Sequence, residues 1–386
     1  MTEPAHYLRR MVDELSSSGE LTPEWRESFL SVPRHMFIPE IVWYQDLTIK
    51  DDNDLVPLRR AEDPETWLEL AYAPRKALVT QVDDGCPVGP GLRGCTITSS
   101  ASQPTVVARM LAALNLTPEM TVCEIGTGTG YNAALLAHYL GAHSVTTIEL
   151  DPQIAAYARQ TLAHVGYDGV TTVTGNGSHG YPSRAPYDRL LATCAPCRVP
   201  YPWVAQTRPG GQVVTPWETP YGAGGLLSLT VSDDGTATGT IIDNVAFMWL
   251  RDQRPPRASL CESVYNRDQA SVTYTDLHPA YATNFDPAVA IALRVPHCRM
   301  ICYSAIDDSE AFTVWFLDPS SRSWAKIDYE SDADHYHVNQ LGPRRLWDEV
   351  EAACRWWLQA GSPKAEQWTF TITPEGQRVN LVSCRS

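Results

Sequence analysis

The sequence predicts an α/β fold: a doubly wound parallel sheet through the middle of the chain, followed by a separate α+β region. Three observations predict it. Residues 96 to about 245 alternate strand-like and helix-like apolar patterns. A glycine-rich junction, Gly126-Thr127-Gly128-Thr129-Gly130, joins a short apolar strand to a helix. From about residue 250 the pattern changes, and Arg254-Pro255-Pro256-Arg257 reads as a linker start.

The elements follow in order. Residues 1–95 form a mixed, partly helical region with an acidic stretch over 51–69. In the middle region, 121–125 is a short apolar strand ending in glycines, 131–140 a helix and 145–150 a second strand. Pro152 suits the first turn of the next helix, in which Ile154, Ala158, Leu162 and Val165 keep helical spacing. Residues 170–174 and 188–193 are the third and fourth strands, and 212–216 the fifth, after the Pro209-Gly210-Gly211 turn. Helices between parallel strands imply right-handed crossovers, with ligands bound at the carboxyl ends of the strands. In the last region, 250–386, runs at 300–303, 312–317 and 324–329 are strand-like, 344–359 is helix-like, and a final hairpin turns at Pro374-Glu375-Gly376.

Composition narrows the function. The 386 residues are 44% hydrophobic with a net charge of −15. An acidic chain is repelled by phosphates, which argues against duplex nucleic acid as substrate. Arg34, Arg59, Arg60, Arg75 and Arg93 offer a local basic patch, with solvated surface charge as the plainer reading of each. No apolar run is long enough to span a bilayer and the start lacks a secretory pattern, so a cytoplasmic protein without a membrane partner is expected. The 10 cysteines are scattered and are expected to be reduced core thiols. Cys194-Ala195-Pro196-Cys197 has redox or zinc-like spacing, but no second Cys/His pair completes a site, so no metal is expected. Among the histidines, His179 alone merits a test as an acid–base group.

The chemistry concentrates on the glycine junction. Glycine lets the backbone turn tightly against a ligand, and the helix that follows aims its first amides at it. The spacing is GxGxG rather than GxGxxG, which weakens a dinucleotide reading. Glu149 ends the second strand, where a carboxylate accepts hydrogen bonds from both hydroxyls of a ribose. The plainer readings are a tight strand–helix loop and an exposed strand-end acid.

These features, with Ile148-Glu149-Leu150-Asp151-Pro152 and the Gly166-Tyr167 turn, resemble the S-adenosyl-L-methionine-dependent methyltransferases. Thr98 to Leu111 (TSSASQPTVVARML), Gly175 to Gly180 (GNGSHG), Ala185-Pro186-Tyr187-Asp188 and Val32-Pro33-Arg34-His35-Met36-Phe37-Ile38-Pro39 resemble the protein-L-isoaspartate O-methyltransferase family, in register over roughly residues 25–230. The resemblance implies a Rossmann-like class I methyltransferase fold. It implies cofactor contacts from Glu124, Gly126, Thr127, Gly128, Gly130, Tyr131, Glu149, Leu150, Asn176 and Gly177, with S-adenosyl-L-homocysteine as product. It puts Ser102, with Gln103, at the position that holds the acceptor carboxylate; a helix N-cap is the plainer reading of Ser102. Asn176 stands where the family has an aspartate, keeping a carbonyl acceptor and adding an amide donor; its plainer reading is a turn residue tolerating positive φ.

A carboxylate is ionised at neutral pH, so its methylation needs no general base. A branch of the family tailors ribosomally made graspetides, lanthipeptides and lasso peptides and carries a C-terminal extension. Residues 250–386 therefore point to methyl esterification of an aspartate in a constrained peptide, leading to aspartimide and isoaspartate, with the extension as recognition domain. The aromatics Trp315, Phe316, Trp324, Tyr329, Trp347, Trp356, Trp357, Trp368 and Phe370 fit a recognition groove or a core. The alternatives are general repair of isoaspartyl protein and a non-catalytic peptide-binding module; a nucleic-acid methyltransferase lacks its Pro-Pro-aromatic motif here. The expected partner is a peptide or protein substrate, and a monomer is expected.

Overall fold

The computed structural model describes residues 4–45, 55–86, 94, 96–255, 263–305, 310–330 and 333–382. Arg93 and the Pro256-Arg257 half of the expected linker lie outside them. The chain forms two compact units. The first comprises Met1–Ala195, Pro200–Thr215 and Ser228–Ala237, the second Pro196–Val199, Pro216–Leu227 and Thr238–Ser386.

The first unit opens with α1 (Pro4–Ser17) and α2 (Pro23–Ser31), which bury Met11, Val12, Leu15, Trp25 and Phe29. A four-stranded antiparallel sheet follows, in the order β2-β1-β3-β4: β1 (Ile41–Gln45), β2 (Leu55–Arg59), β3 (Leu78–Val82) and β4 (Ile97–Ala101), with α3 (Pro64–Ala71) between β2 and β3. Sequence patterning missed this sheet, because its strands are short and their alternation is broken by Pro57 and Gln81. The register of β4 on β3 shifts around Gln81, a local irregularity beside the hydroxyl-rich Thr98–Ser100 segment.

The parallel sheet runs as expected. β5 (Val122–Ile125) pairs in parallel with β6 (Val145–Glu149) on one side and β8 (Tyr187–Ala192) on the other. β6 pairs with β7 (Thr171–Thr174), and β8 with the start of β9 (Thr207–Glu218). The order β7-β6-β5-β8-β9 reverses direction between β5 and β8, the switch point at which such sheets bind ligands. α4 (Pro104–Ala113), α5 (Tyr131–Leu140), α6 (Pro152–His164) and α7 (Tyr201–Ala205) complete the unit. The side chain of Asp151 caps α6, accepting from the amides of Gln153 and Ile154 at 2.8 and 3.2 Å, with Pro152 in its first turn. The Pro209-Gly210-Gly211 segment, expected before the fifth strand, lies inside β9.

Parts of β9, β10 (Gly224–Val231) and β11 (Ala237–Asp243) belong to each unit by the bounds above. The second unit holds the antiparallel sheet β12-β16-β15-β14-β13: β12 (Ser271–Thr275), β13 (Arg299–Ser304), β14 (Phe312–Asp318), β15 (Ser323–Tyr329) and β16 (Tyr336–Leu341). It also holds α8 (Phe285–Arg294), α9 (Leu346–Gln359) and the hairpin of β17 (Trp368–Thr373) with β18 (Gly376–Leu381). α9 buries Leu346, Trp347, Val350, Ala353, Cys354 and Trp357, the stripe its helical period predicts. Of the aromatics considered for a groove, Trp315, Phe316, Trp324, Trp347, Trp357, Trp368 and Phe370 are buried in the core, and only Tyr329 and Trp356 keep half-exposed faces. No helix among the described residues is long and apolar enough to cross a membrane. The described cysteines are free, but Cys86 and Cys302 are exposed rather than core thiols.

Candidate active site

The glycine junction makes a left-handed turn at each glycine, with φ of 93° at Gly126, 53° at Gly128 and 88° at Gly130. A side chain at Gly126 would meet Thr193 Oγ1 at 2.5 Å, the hydroxyl that donates to the carbonyls of Gly126 and Ile125. Thr193, at the end of β8, thus pins the turn from the far side of the switch point; sequence reading had no signal for it. A Cβ on Gly128 would lie 3.6 Å from the carbonyl oxygen of Ser100, so the turn and the segment leading to Ser102 are neighbours.

Behind the turn lies a buried polar network. Glu124, expected among the cofactor contacts, is fully buried, and both its oxygens are used: Asn132 Nδ2 donates at 2.6 Å and Thr147 Oγ1 at 2.6 Å. Burial pushes its carboxyl up to about 7, the charge of Glu149 adding to the shift and the two hydrogen bonds opposing it. The Thr127 hydroxyl sits 2.7 Å from that of Thr147, facing this network. The Tyr131 ring packs inward against Phe29 and Phe37. The side chains of Glu124, Thr127 and Tyr131 thus brace the turn from inside.

Glu149 is 8% exposed and spans the turn, one oxygen accepting from Gly128 N at 3.0 Å and the other from Asp151 N at 3.1 Å. Leu150 beside it is 39% exposed, an apolar surface at the strand end. Asn176 has φ −73°, not the positive φ that a turn role implied, and its Oδ1 accepts from Ser178 N and Ser178 Oγ, both at 2.9 Å. Gly177 is required by packing, since a Cβ there would lie 2.4 Å from Ile125 Cγ2.

Ser102 follows β4 directly. The cap of α4 is Gln103, without a side-chain bond, so the capping reading of Ser102 does not hold. The Ser102 hydroxyl is half-buried and has no protein partner among the described residues. The neighbouring row is tied down: Thr80 donates to Ser99 at 3.0 Å, Thr98 to Gln81 at 2.9 Å, and Gln81 to Asp151 at 2.8 Å. Gln81 thereby links the strand before Ser102 to the end of β6. Arg34 is buried too, and donates to the carbonyl oxygens of Ala101 and Ser102. It is neither surface charge nor part of a basic patch; Arg59 instead pairs with Glu62, and Arg60 lies over the Trp67 ring.

The remaining candidates stay apart. His179 is exposed, and His138 is bonded through Nδ1 to the Ser28 hydroxyl at 3.0 Å. Among the described residues no group of three His, Cys, Asp or Glu is placed to hold a metal. The strand-end carboxylate, the glycine turn and the following helix fit a nucleoside with an attached small group, and the adjacent free hydroxyl fits an acceptor anion.

Comparison with known proteins agrees with this geometry. Residues 75–254 match the family model "Protein-L-isoaspartate(D-aspartate) O-methyltransferase (PCMT)". The protein-L-isoaspartate O-methyltransferase of Hyperthermus butylicus is 34% identical over 218 residues, 54% of this chain and 73% of that protein. That of Ignicoccus hospitalis is 32% identical over 247 residues, 64% of this chain and 97% of that protein. A solved structure named protein-L-isoaspartate O-methyltransferase shares the fold with a TM-score of 0.54 at 19% identity, over 97% of this chain and 99% of its own.

Proposed function

We propose, from the premise that the chain belongs to the protein-L-isoaspartate O-methyltransferase family, that it methylates the free carboxylate of an isoaspartyl residue in protein or peptide. The cofactor of the family, S-adenosyl-L-methionine, supplies an electrophilic methyl on a sulfonium and becomes S-adenosyl-L-homocysteine. The 126–130 turn and the first turn of α5 would hold it, with Glu149 accepting from the ribose and Leu150 and Asn176 flanking the base. Ser102 and Gln103 would orient the acceptor.

The observation that carries this reading is the adjacency of the two halves. Gly128 donates to Glu149, while Gly128 also approaches the Ser100 carbonyl two residues before the free Ser102 hydroxyl. An ionised acceptor needs no base, so the protein's contribution is orientation and removal of water. A carboxylate oxygen forms the bond to the methyl carbon. The ester carbonyl is then open to the following backbone nitrogen, which closes a succinimide and expels methanol.

The finer reading, esterification of one aspartate in a ribosomally made constrained peptide, uses the same steps. It leaned on the C-terminal extension, with the second unit as recognition domain. That extension has a fold counterpart in a protein-L-isoaspartate O-methyltransferase, so it does not favour tailoring over repair. Paired peptides that differ only in aspartate or isoaspartate test this by mass spectrometry with the cofactor. Methyl gain on the isoaspartyl peptide alone supports repair, gain on aspartate alone supports tailoring, and gain on neither overturns both.

A further inference from the structure

Arg34 is the most deeply buried cation described in the first unit, at 0% exposure. It stands where α2 gives way to a short turn, after Val32 and Pro33. Its Nε donates to the carbonyl of Ala71 at 2.8 Å, at the end of α3. Its Nη2 donates to the carbonyls of Ala101 at 3.1 Å and Ser102 at 2.8 Å. The guanidinium carbon lies 5.0 Å from the centre of the Tyr131 ring. Nη1 has no partner, and neither has the buried Tyr131 hydroxyl.

No carboxylate pairs with Arg34 among the described residues; the ionisable groups that act on it are the hydroxyls of Tyr131 and Tyr72. Burial lowers its pKa, but a guanidinium starts so high that it stays charged. A buried cation with only neutral partners is costly to keep, and three carbonyls and an aromatic face offset only part of that cost. Such an arrangement is explained if the counter-charge comes with the substrate.

We propose that Arg34 is a positioning residue that aims Ser102 through the two carbonyls it grips, and that its uncompensated charge selects an anionic acceptor over a neutral one. This rests on the methyltransferase reading above, and it explains why the neutral hydroxyl of Ser102 suffices at the point of contact. A positive potential from behind draws the carboxylate in without a strong hydrogen bond to the attacking oxygen, which would blunt it as a nucleophile.

The test compares an isoaspartyl peptide with its isoasparaginyl analogue, identical but for a neutral amide, as competing ligands of the cofactor-loaded enzyme. The natural protein should prefer the carboxylate by roughly tenfold or more. Arg34→Gln should erase that preference, while Arg34→Lys should keep it and raise KM for the peptide, because an ammonium keeps the charge but cannot grip both carbonyls as a planar fork does. Affinity for S-adenosyl-L-homocysteine, measured by calorimetry, should stay within about twofold in both variants, and thermal melts show that each is folded. If Arg34→Gln keeps the preference, or both folded variants lose it, the proposal is overturned. Failure of the natural protein to methylate any isoaspartyl peptide would instead count against the methyltransferase reading. If Arg34→Gln does not fold, the lysine variant decides, since loss of preference in a folded Arg34→Lys refutes the charge argument.

Discussion

Replacing Glu124 by glutamine should make the protein's stability less sensitive to pH, and the size of the effect follows from the burial of this acid. In the folded chain its carboxyl titrates at about 7, against 4.5 when exposed. A raised folded pKa means that the folded state holds the proton more tightly. Stability from this group is therefore full below pH 4.5 and is lost as pH rises through 7. At 1.36 kcal/mol per unit, the full loss is roughly 3 kcal/mol, of which roughly 2 to 3 kcal/mol falls between pH 5 and 8. Glutamine cannot ionise and removes that loss, although its amide faces the Asn132 donor and costs about 1 kcal/mol at every pH. Urea unfolding of both proteins at several pH values from 5 to 8 isolates the term, because the other acids cancel in the difference. The stability of Glu124→Gln relative to the natural protein should climb with pH by that amount. A difference that is flat across the range would show that Glu124 is ionised throughout, and would refute the reasoning.

Other outcomes follow from the same geometry. Gly126→Ala forces a side chain into a φ of 93° and against Thr193 Oγ1 at 2.5 Å, and should lose at least about 1–2 kcal/mol in denaturant melts together with cofactor binding. Glu149→Gln should weaken S-adenosyl-L-homocysteine binding by roughly ten- to a hundredfold in calorimetry. Ser102→Ala should leave that binding intact and lower peptide kcat/KM by roughly tenfold, since its hydroxyl holds no part of the fold. Removing residues beyond 250 leaves Pro196–Val199, Pro216–Leu227 and Thr238 onward without the rest of their compact unit, so the truncated protein should be recovered misfolded or insoluble by gel filtration.

What the sequence made legible was whatever repeats with a period or marks a boundary. The strands and helices of the parallel sheet were readable because continuous apolar runs alternate with helical spacing, and α5 spans the expected 131–140, between Gly130 and Gly141. The four-stranded sheet was not, since strands of five residues carrying serines, a proline and a glutamine lack that contrast. Nor was the division into units. Chain order invites a cut near 250, but contacts assign 196–199 and 216–227 to the second unit, a partition that no local composition records. The site shows the same limit. The glycine turn and the acid that ends β6 were legible from residue type, whereas Thr193, Gln81 and Arg34 make their contacts there from elsewhere in the chain and read locally as ordinary loop, strand and surface residues.

Glu124 and Glu149 show why depth along the strand matters more than identity. They end or nearly end adjacent parallel strands, and Ile125 pairs with Ile148 in the register between them. Alternation along a strand sends side chains to opposite faces, and adjacent register positions share one. Glu124 therefore pairs across with Thr147, whose hydroxyl it accepts, and turns into the dry interior. Glu149, two positions on from Thr147, lies beyond the last paired residue of β5, where the chain has already bent away at Gly126. There it meets backbone amides, where Glu124 meets the buried side chains of Asn132 and Thr147. Because the charge of Glu149 raises the pKa of Glu124, keeping one acid ionised favours the proton on the other.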